Sequence, residues 1–360
     1  MKWTILTRGQ GSPQDGSKSS SKSQQQCKKW PGKVEIDTQQ ICSVVFLLDG
    51  EYIASGSRWN EKIHWWRVKD GREVGTPMDA GDQVRTFSAS RDGKRFVSGM
   101  GNGRVEVWNA ENYKKVIGWQ AYSKSATSES RWPVDISPDG TNIVTVSDDS
   151  RQGACVWLIS TAQPLPNHGL KSKSLVTGPY IVALKFSPDG RSIASITSKS
   201  IQIYDSLYTH CLSTFPIQVK ESNNKSISWT SDSKKLFALS SDGNIHCLNV
   251  SAKTVDPGSW AIHDYSPKFG SIALARNGAF IAASASLSVS FWDTATHQQI
   301  GSIICHPTNI LCMDISENYD LVTAGGTKII LWDLHQVLPS PYCDDVSVLA
   351  SNTRSRSFSS

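Results

Sequence analysis

Histidines, cysteines, carboxylates and glycine-rich turns are the residues of this chain with the chemistry to bind a metal, carry a nucleophile or cradle a phosphate. The eight histidines show no H-x-x-x-H or H-E-x-x-H spacing, so no helix face offers paired imidazoles to a zinc ion. The eight cysteines contain no C-x-x-C pair, which removes the zinc knuckle and the redox dithiol; they read as small buried apolar residues rather than as a disulfide framework. Gly99-x-Gly101-x-Gly103 and Gly325-Gly326-Thr327-Lys328 have the composition of phosphate loops, but neither opens a helix whose amides would face the anion. There is no Gly-x-Ser-x-Gly elbow, and the carboxylates that stand out, Asp92, Asp139 and Asp189, sit in turn sequences. The expectation is a chain with no catalytic residues, no metal and no cofactor.

Those turns belong to a repeat. Ser-Pro-Asp-Gly occurs at Ser137–Gly140 and Ser187–Gly190, with looser versions ending at Gly50, Gly93, Ser233, Gly278 and Tyr319. Successive copies are 43, 47, 50, 43, 45 and 41 residues apart, which gives seven units of about 45 residues. Each turn stands between two short runs of period-two alternation, such as Ile181-Val182-Ala183-Leu184-Lys185-Phe186 and Ser192-Ile193-Ala194-Ser195-Ile196, the pattern of a β-hairpin. A second turn follows, as in Ser240-Ser241-Asp242-Gly243-Asn244. A third strand then ends in a large residue: Trp66, Trp108, Trp157, Tyr204, Leu248, Trp292 or Trp332.

Over residues 34–334 this pattern resembles the WD-repeat family: Trp292-Asp293 and Trp332-Asp333 are literal copies of its signature pair. The family's Gly-His dipeptide is missing, and only His306 stands where its histidine falls, so the family's internal His-Ser-Asp-Trp hydrogen-bond network is not expected in most blades. The resemblance implies an all-β fold, a seven-bladed WD-repeat β-propeller. A lone four-stranded sheet leaves both faces apolar, and a ring of such sheets buries them. The ring is expected to close through the N-terminal segment near 28–36, since Pro339 and Pro341 interrupt the chain after the last repeat; 346–349 is the rival closing strand.

The resemblance also implies a job, non-catalytic scaffolding or adaptor-type recognition of other proteins. The partner surface would be the narrow face, made of the loop before each first strand and the turn between second and third strands. At those positions lie Arg58, Trp59, Arg85, Trp132, Arg151, Tyr180, Lys199, Lys225 and Lys268. Aromatic and arginine residues dominate binding hot spots, and this basic set suits an acidic or phosphorylated peptide or protein loop. Trp59 and Trp132 lie outside the packing rule that buries the strand-end tryptophans, and are expected to be exposed. The alternatives are an enzyme or small-ligand propeller using acids in the central channel, and a phosphoinositide or RNA binder, whose affinity would fall steeply with salt.

Residues 1–27 are rich in Ser, Gln and Lys and are expected to be disordered, as is most of 335–360 beyond a propeller spanning 28–334. Residues 1–33 hold seven Lys/Arg against one Asp, and 335–360 hold two of each sign. Of the 37 basic and 32 acidic groups this leaves 28 and 29 on the repeats, so the net charge of +5 is a property of the tail and a nucleic-acid-binding body is not indicated. No apolar run approaches the roughly 18 residues of a membrane span, and the first residues lack an apolar leader core. A cytoplasmic or nuclear location is expected.

Overall fold

Each pair of alternating runs meets across its Asp-Gly turn as a hairpin, and each hairpin gains a third and a fourth strand to make one blade. In the first, Ile41–Leu47 pairs with Tyr52–Ser57, which pairs with Lys62–Arg67 and then Met78–Asp79. Six more antiparallel sheets begin at Val84–Ala89, Val134–Ile136, Ile181–Phe186, Ser226–Trp229, Ile272–Leu274 and Cys312–Ile315. The computed structural model describes residues 32–57, 59–121, 133–146, 153–165, 175–176, 181–197, 199–207, 210–217, 226–240, 242–262 and 270–343.

The first turns of blades two to five are held by their own side chains. The Ser137 hydroxyl donates to Asp139 at 2.5 Å while accepting from the Asn142 amide at 2.9 Å, and Gly140 takes the left-handed φ of +67° that closes the turn. Ser90 with Asp92, Ser187 with Asp189 and Thr230 with Asp232 repeat the hydroxyl-to-carboxylate bond at 2.6 Å. The Thr230 hydroxyl and the Lys234 amide hold Asp232 below the usual carboxylate range; in Asp92 and Asp139 burial pushes upward but donated hydrogen bonds outweigh it.

Carboxyls depressed on folding contribute stability that is complete above their unfolded pKa and is lost as pH falls through their folded values. The D92N/D139N/D232N variant should therefore be less stable than wild type at pH 7, with the gap shrinking below pH 3. Urea midpoints at the two pH values test this; an equal gap at both contradicts it.

Tryptophans at the ends of the third strands tie neighbouring strands together. Trp66 donates from Nε1 to Ser55 Oγ at 2.8 Å, Trp108 to Ser98 at 2.8 Å, Trp157 to Thr145 at 2.9 Å and Trp332 to Thr323 at 2.9 Å. Trp292 differs, donating at 2.8 Å to Ser290 of its own strand. In the seventh blade the expected histidine turns elsewhere: His306 Nδ1 bonds the Thr308 carbonyl at 2.8 Å.

Apolar side chains fill every seam between blades. Val105 and Trp119 of blade two meet Ile143 and Val156 of blade three, and Phe237 and Trp260 of blade five meet Ile281 of blade six. The last seam makes the row a circle: Val322, Ile329 and Leu331 of blade seven pack on Val44, Ile53 and Val68 of blade one.

Val34–Asp37 supplies the outer strand of blade seven, with Val34 opposite Leu331 and Asp37 opposite Lys328. Lys33 reaches Asp320 at 2.8 Å and Lys328 reaches Asp37 at 2.6 Å on either side of the strand. The rival segment 346–349 lies outside the described residues.

Two details depart from the sequence reading. The chain does not leave the body at residue 334: Leu334–Val337 forms a one-turn helix capped by Asp333, and Val337, Leu338 and Cys343 are buried against Phe280 and Tyr319 of blades six and seven. Pro339 and Pro341 forbid a strand there but not this packing. Six of the described cysteines are in no disulfide, but Cys305 is disulfide-bonded, which the reading of all eight as packing residues did not anticipate. Burial pushes the thiol of Cys247 up to about 12, which makes it a packing group rather than a nucleophile.

Candidate partner-binding face

Antiparallel strands put the turns of a blade alternately at two ends. Loops entering the first strands and second turns lie at one end, here the entry face; first turns lie at the other. Three of the residues expected to bind are described, all at the entry face, and they differ.

Trp59 occupies the second turn of blade one and is 68% exposed, the most exposed large apolar side chain among the described residues. Its backbone amide donates to Ser57 Oγ at 3.1 Å and its indole N–H donates to the Gln40 side chain, so the ring projects from a fixed base. Lys199, in the second turn of blade four, is exposed. Arg85 is at the same end but lies flat, 8% exposed, bonding Gln83 at 2.7 Å and covering the turn at Gly101. It is a support for the loop rather than a projecting contact. Arg58, Trp132, Arg151, Tyr180, Lys225 and Lys268 lie outside the described residues.

Sequence reading passed over Leu287, 46% exposed in the second turn of blade six. The only signal was its place, an apolar residue in a turn. Between Leu287 and Trp59 lies the second turn of blade seven, buttressed by Thr308, whose hydroxyl donates to the Gly325 carbonyl at 2.7 Å. A Cβ on Gly325 would fall 2.0 Å from the Asn309 carbonyl, so this glycine serves close packing of two loops and not an anion.

The described concavity is at the opposite end. A cavity of about 410 Å³ opens among the first turns, lined by first-strand residues two places before each turn: Val45, Ser88, Asp135, Lys185, Ser228 and Asp314. Asp135 accepts from the Ser88 hydroxyl of the preceding blade and, at 2.7 Å, from the Phe186 amide of the following one. Asp314 accepts at 3.0 Å from the Phe46 amide of blade one. Burial raises both carboxyls above the ordinary range, against the opposing pull of Lys185 and the donated hydrogen bonds. Both staple adjacent blades, and the shared Asp-Ile-Ser tripeptide, a carboxylate in an apolar strand, was their sequence signal.

Comparison with known proteins agrees with this architecture. No family model matches the chain. It is 27% identical over 173 residues to the small ribosomal subunit protein RACK1y of Oryza sativa subsp. japonica, an alignment covering 46% of this chain and 46% of that protein. The match therefore spans about half the length of the relative. Among the described residues, no helix is long and apolar enough to cross a membrane. Seven four-stranded units that bury their faces against one another, tied by tryptophan and hydroxyl and closed on themselves, make this chain a seven-bladed β-propeller.

Proposed function

We propose that this propeller is a non-catalytic scaffold that holds a partner protein or peptide on its entry face, the narrow face of the family it resembles. Trp59 carries the reading. A monomer gains nothing by holding an indole 68% in water, and a ring braced at both its backbone amide and its Nε1 loses little freedom when a partner covers it. Leu287 extends the apolar surface. Lys199, with Arg58, Arg151, Lys225 and Lys268 in the same kind of loop, favours an acidic or phosphorylated partner. The two channel carboxylates are engaged by backbone amides of neighbouring blades, which supports binding rather than reaction as the chain's work. The relative's name attaches it to the small ribosomal subunit, so a cytoplasmic assembly is the first setting to test.

Full-length protein probed on an array of acidic and phosphorylated peptides should bind a subset, and Trp59→Ala should weaken those at least tenfold, the scale of a buried aromatic anchor. Val116→Ser, on the outer strand of blade two, should bind as wild type. Retention of all binding by the W59A/K199A variant would remove the entry face from the mechanism.

A further inference from the structure

We propose that Thr76, on the outer edge of blade one, is a phosphorylation site, the acceptor for a protein kinase that requires proline after the residue it modifies. Four Ser/Thr-Pro pairs occur among the described residues, and the fold leaves one of them open. The hydroxyls of Ser137 and Ser187 are locked into first turns, donating to Asp139 at 2.5 Å and to Asp189 at 2.6 Å, and the two residues are 3% and 0% exposed. Ser340 starts a short helical turn, with the Cys343 amide donating to its carbonyl at 3.2 Å. Thr76 differs from all three. It is exposed together with Gly75 and Pro77, it lies outside any strand or helix, and none of the three residues makes a backbone–backbone hydrogen bond to a described residue.

The path of the fourth strand explains why this pair stands out. Glu73 bridges Trp66 and the Val74 amide donates to the Trp65 carbonyl at 2.9 Å; pairing then stops, and resumes with Met78 opposite Ile63 and Asp79 opposite Lys62. Between the two stretches Pro77 has no N–H to give the sheet, and Gly75 takes a φ of +70° with open space where a Cβ would stand. The chain therefore bows away from the blade at 75–77. A residue that precedes proline is driven toward extended backbone, the shape in which a kinase cleft receives its substrate. The flanks yield readily, because the strand that follows is only the two residues Met78–Asp79 and can open locally while the inner strands stay paired. With ATP as co-substrate the Thr76 oxygen attacks the γ-phosphorus, the bond from that phosphorus to the β–γ bridging oxygen breaks, ADP leaves, and the hydroxyl proton passes to the carboxylate base of the kinase.

The full chain incubated with ATP and, separately, a mitogen-activated and a cyclin-dependent protein kinase tests the assignment, with the modified residues located by mass spectrometry. In the native protein Thr76 should gain phosphate at least about tenfold faster than Ser137 or Ser187, whose modification requires the ring to open. In urea-unfolded and diluted chain, or in peptides spanning each pair, that preference should vanish, because the three sites then differ only in sequence. Thr76→Val should remove the phosphopeptide. Pro77→Ala should lower the rate at Thr76 at least about tenfold while the thermal midpoint shows the ring intact, since the substitution takes away the residue that both bows the strand and is read by the kinase. Absence of phosphate on Thr76 with both kinases overturns the proposal. So does labelling of Ser137 or Ser187 as fast as Thr76 in the native chain, or labelling of Thr76 that Pro77→Ala leaves unchanged.

Discussion

Truncating Trp108 to alanine is expected to destabilise the propeller by about 3–5 kcal/mol, the range for removing a large buried aromatic. Trp108 is 3% exposed, stacks on Phe96 with ring centres 6.1 Å apart, and closes the seam between blades one and two with Trp65 and Met100. Removing it opens a cavity and also strips Ser98, fully buried, of its indole donor. Trp108→Phe separates the two effects, since it keeps most of the volume and loses only the N–H; it should cost about 1–2 kcal/mol, and adding Ser98→Ala should recover part of that. Denaturant unfolding of wild type, W108A, W108F, S98A and the W108F/S98A double variant measures both the truncation and the cycle. A W108A protein within 1 kcal/mol of wild type would mean that the blades are not coupled through this seam.

The second large effect is expected at the closing strand. Ile36 is 5% exposed and packs with Val68 of blade one and Ile329 of blade seven. Ile36→Asp places a carboxylate in that apolar seam with no described cation against it, at a cost of several kcal/mol. The fourth strand of blade seven should detach and the thermal midpoint should fall by more than for any substitution on the strand's outward side. Glu35→Lys, one residue away and exposed, is the control and should leave the midpoint nearly unchanged. Limited proteolysis gives a second readout: cleavage between residues 28 and 40 should accelerate in I36D and not in E35K. Equal behaviour of the two proteins would show that the ring does not depend on this strand.

Much of the ring was legible beforehand because its signals are local. A serine, an aspartate and a glycine within four residues define a turn wherever they occur, and alternation on either side defines the hairpin. Seven such units therefore emerged from spacing alone. The strand-end tryptophans were placed by the same periodicity, and Trp59 stood out because it broke it. The lie of Arg85 was not legible because sequence gives the loop and not the direction of the side chain; its guanidinium lies over Gly101. Leu287 was missed because one leucine in a turn carries no pattern.

What the sequence determined by itself is the unit and its number, since hairpin turns and period-two burial are set by neighbours a few residues apart. The tertiary structure alone decided the relations between units. It assigned Val34–Asp37 to a partner strand almost 300 residues away. It made Asp135 and Asp314, carboxylates inside the channel, into staples on the next blade's amides. It also set the cavity at the end opposite to Trp59. These outcomes depend on which surfaces meet when the ring shuts, and burial across a seam is a property of two distant segments that neither one encodes alone.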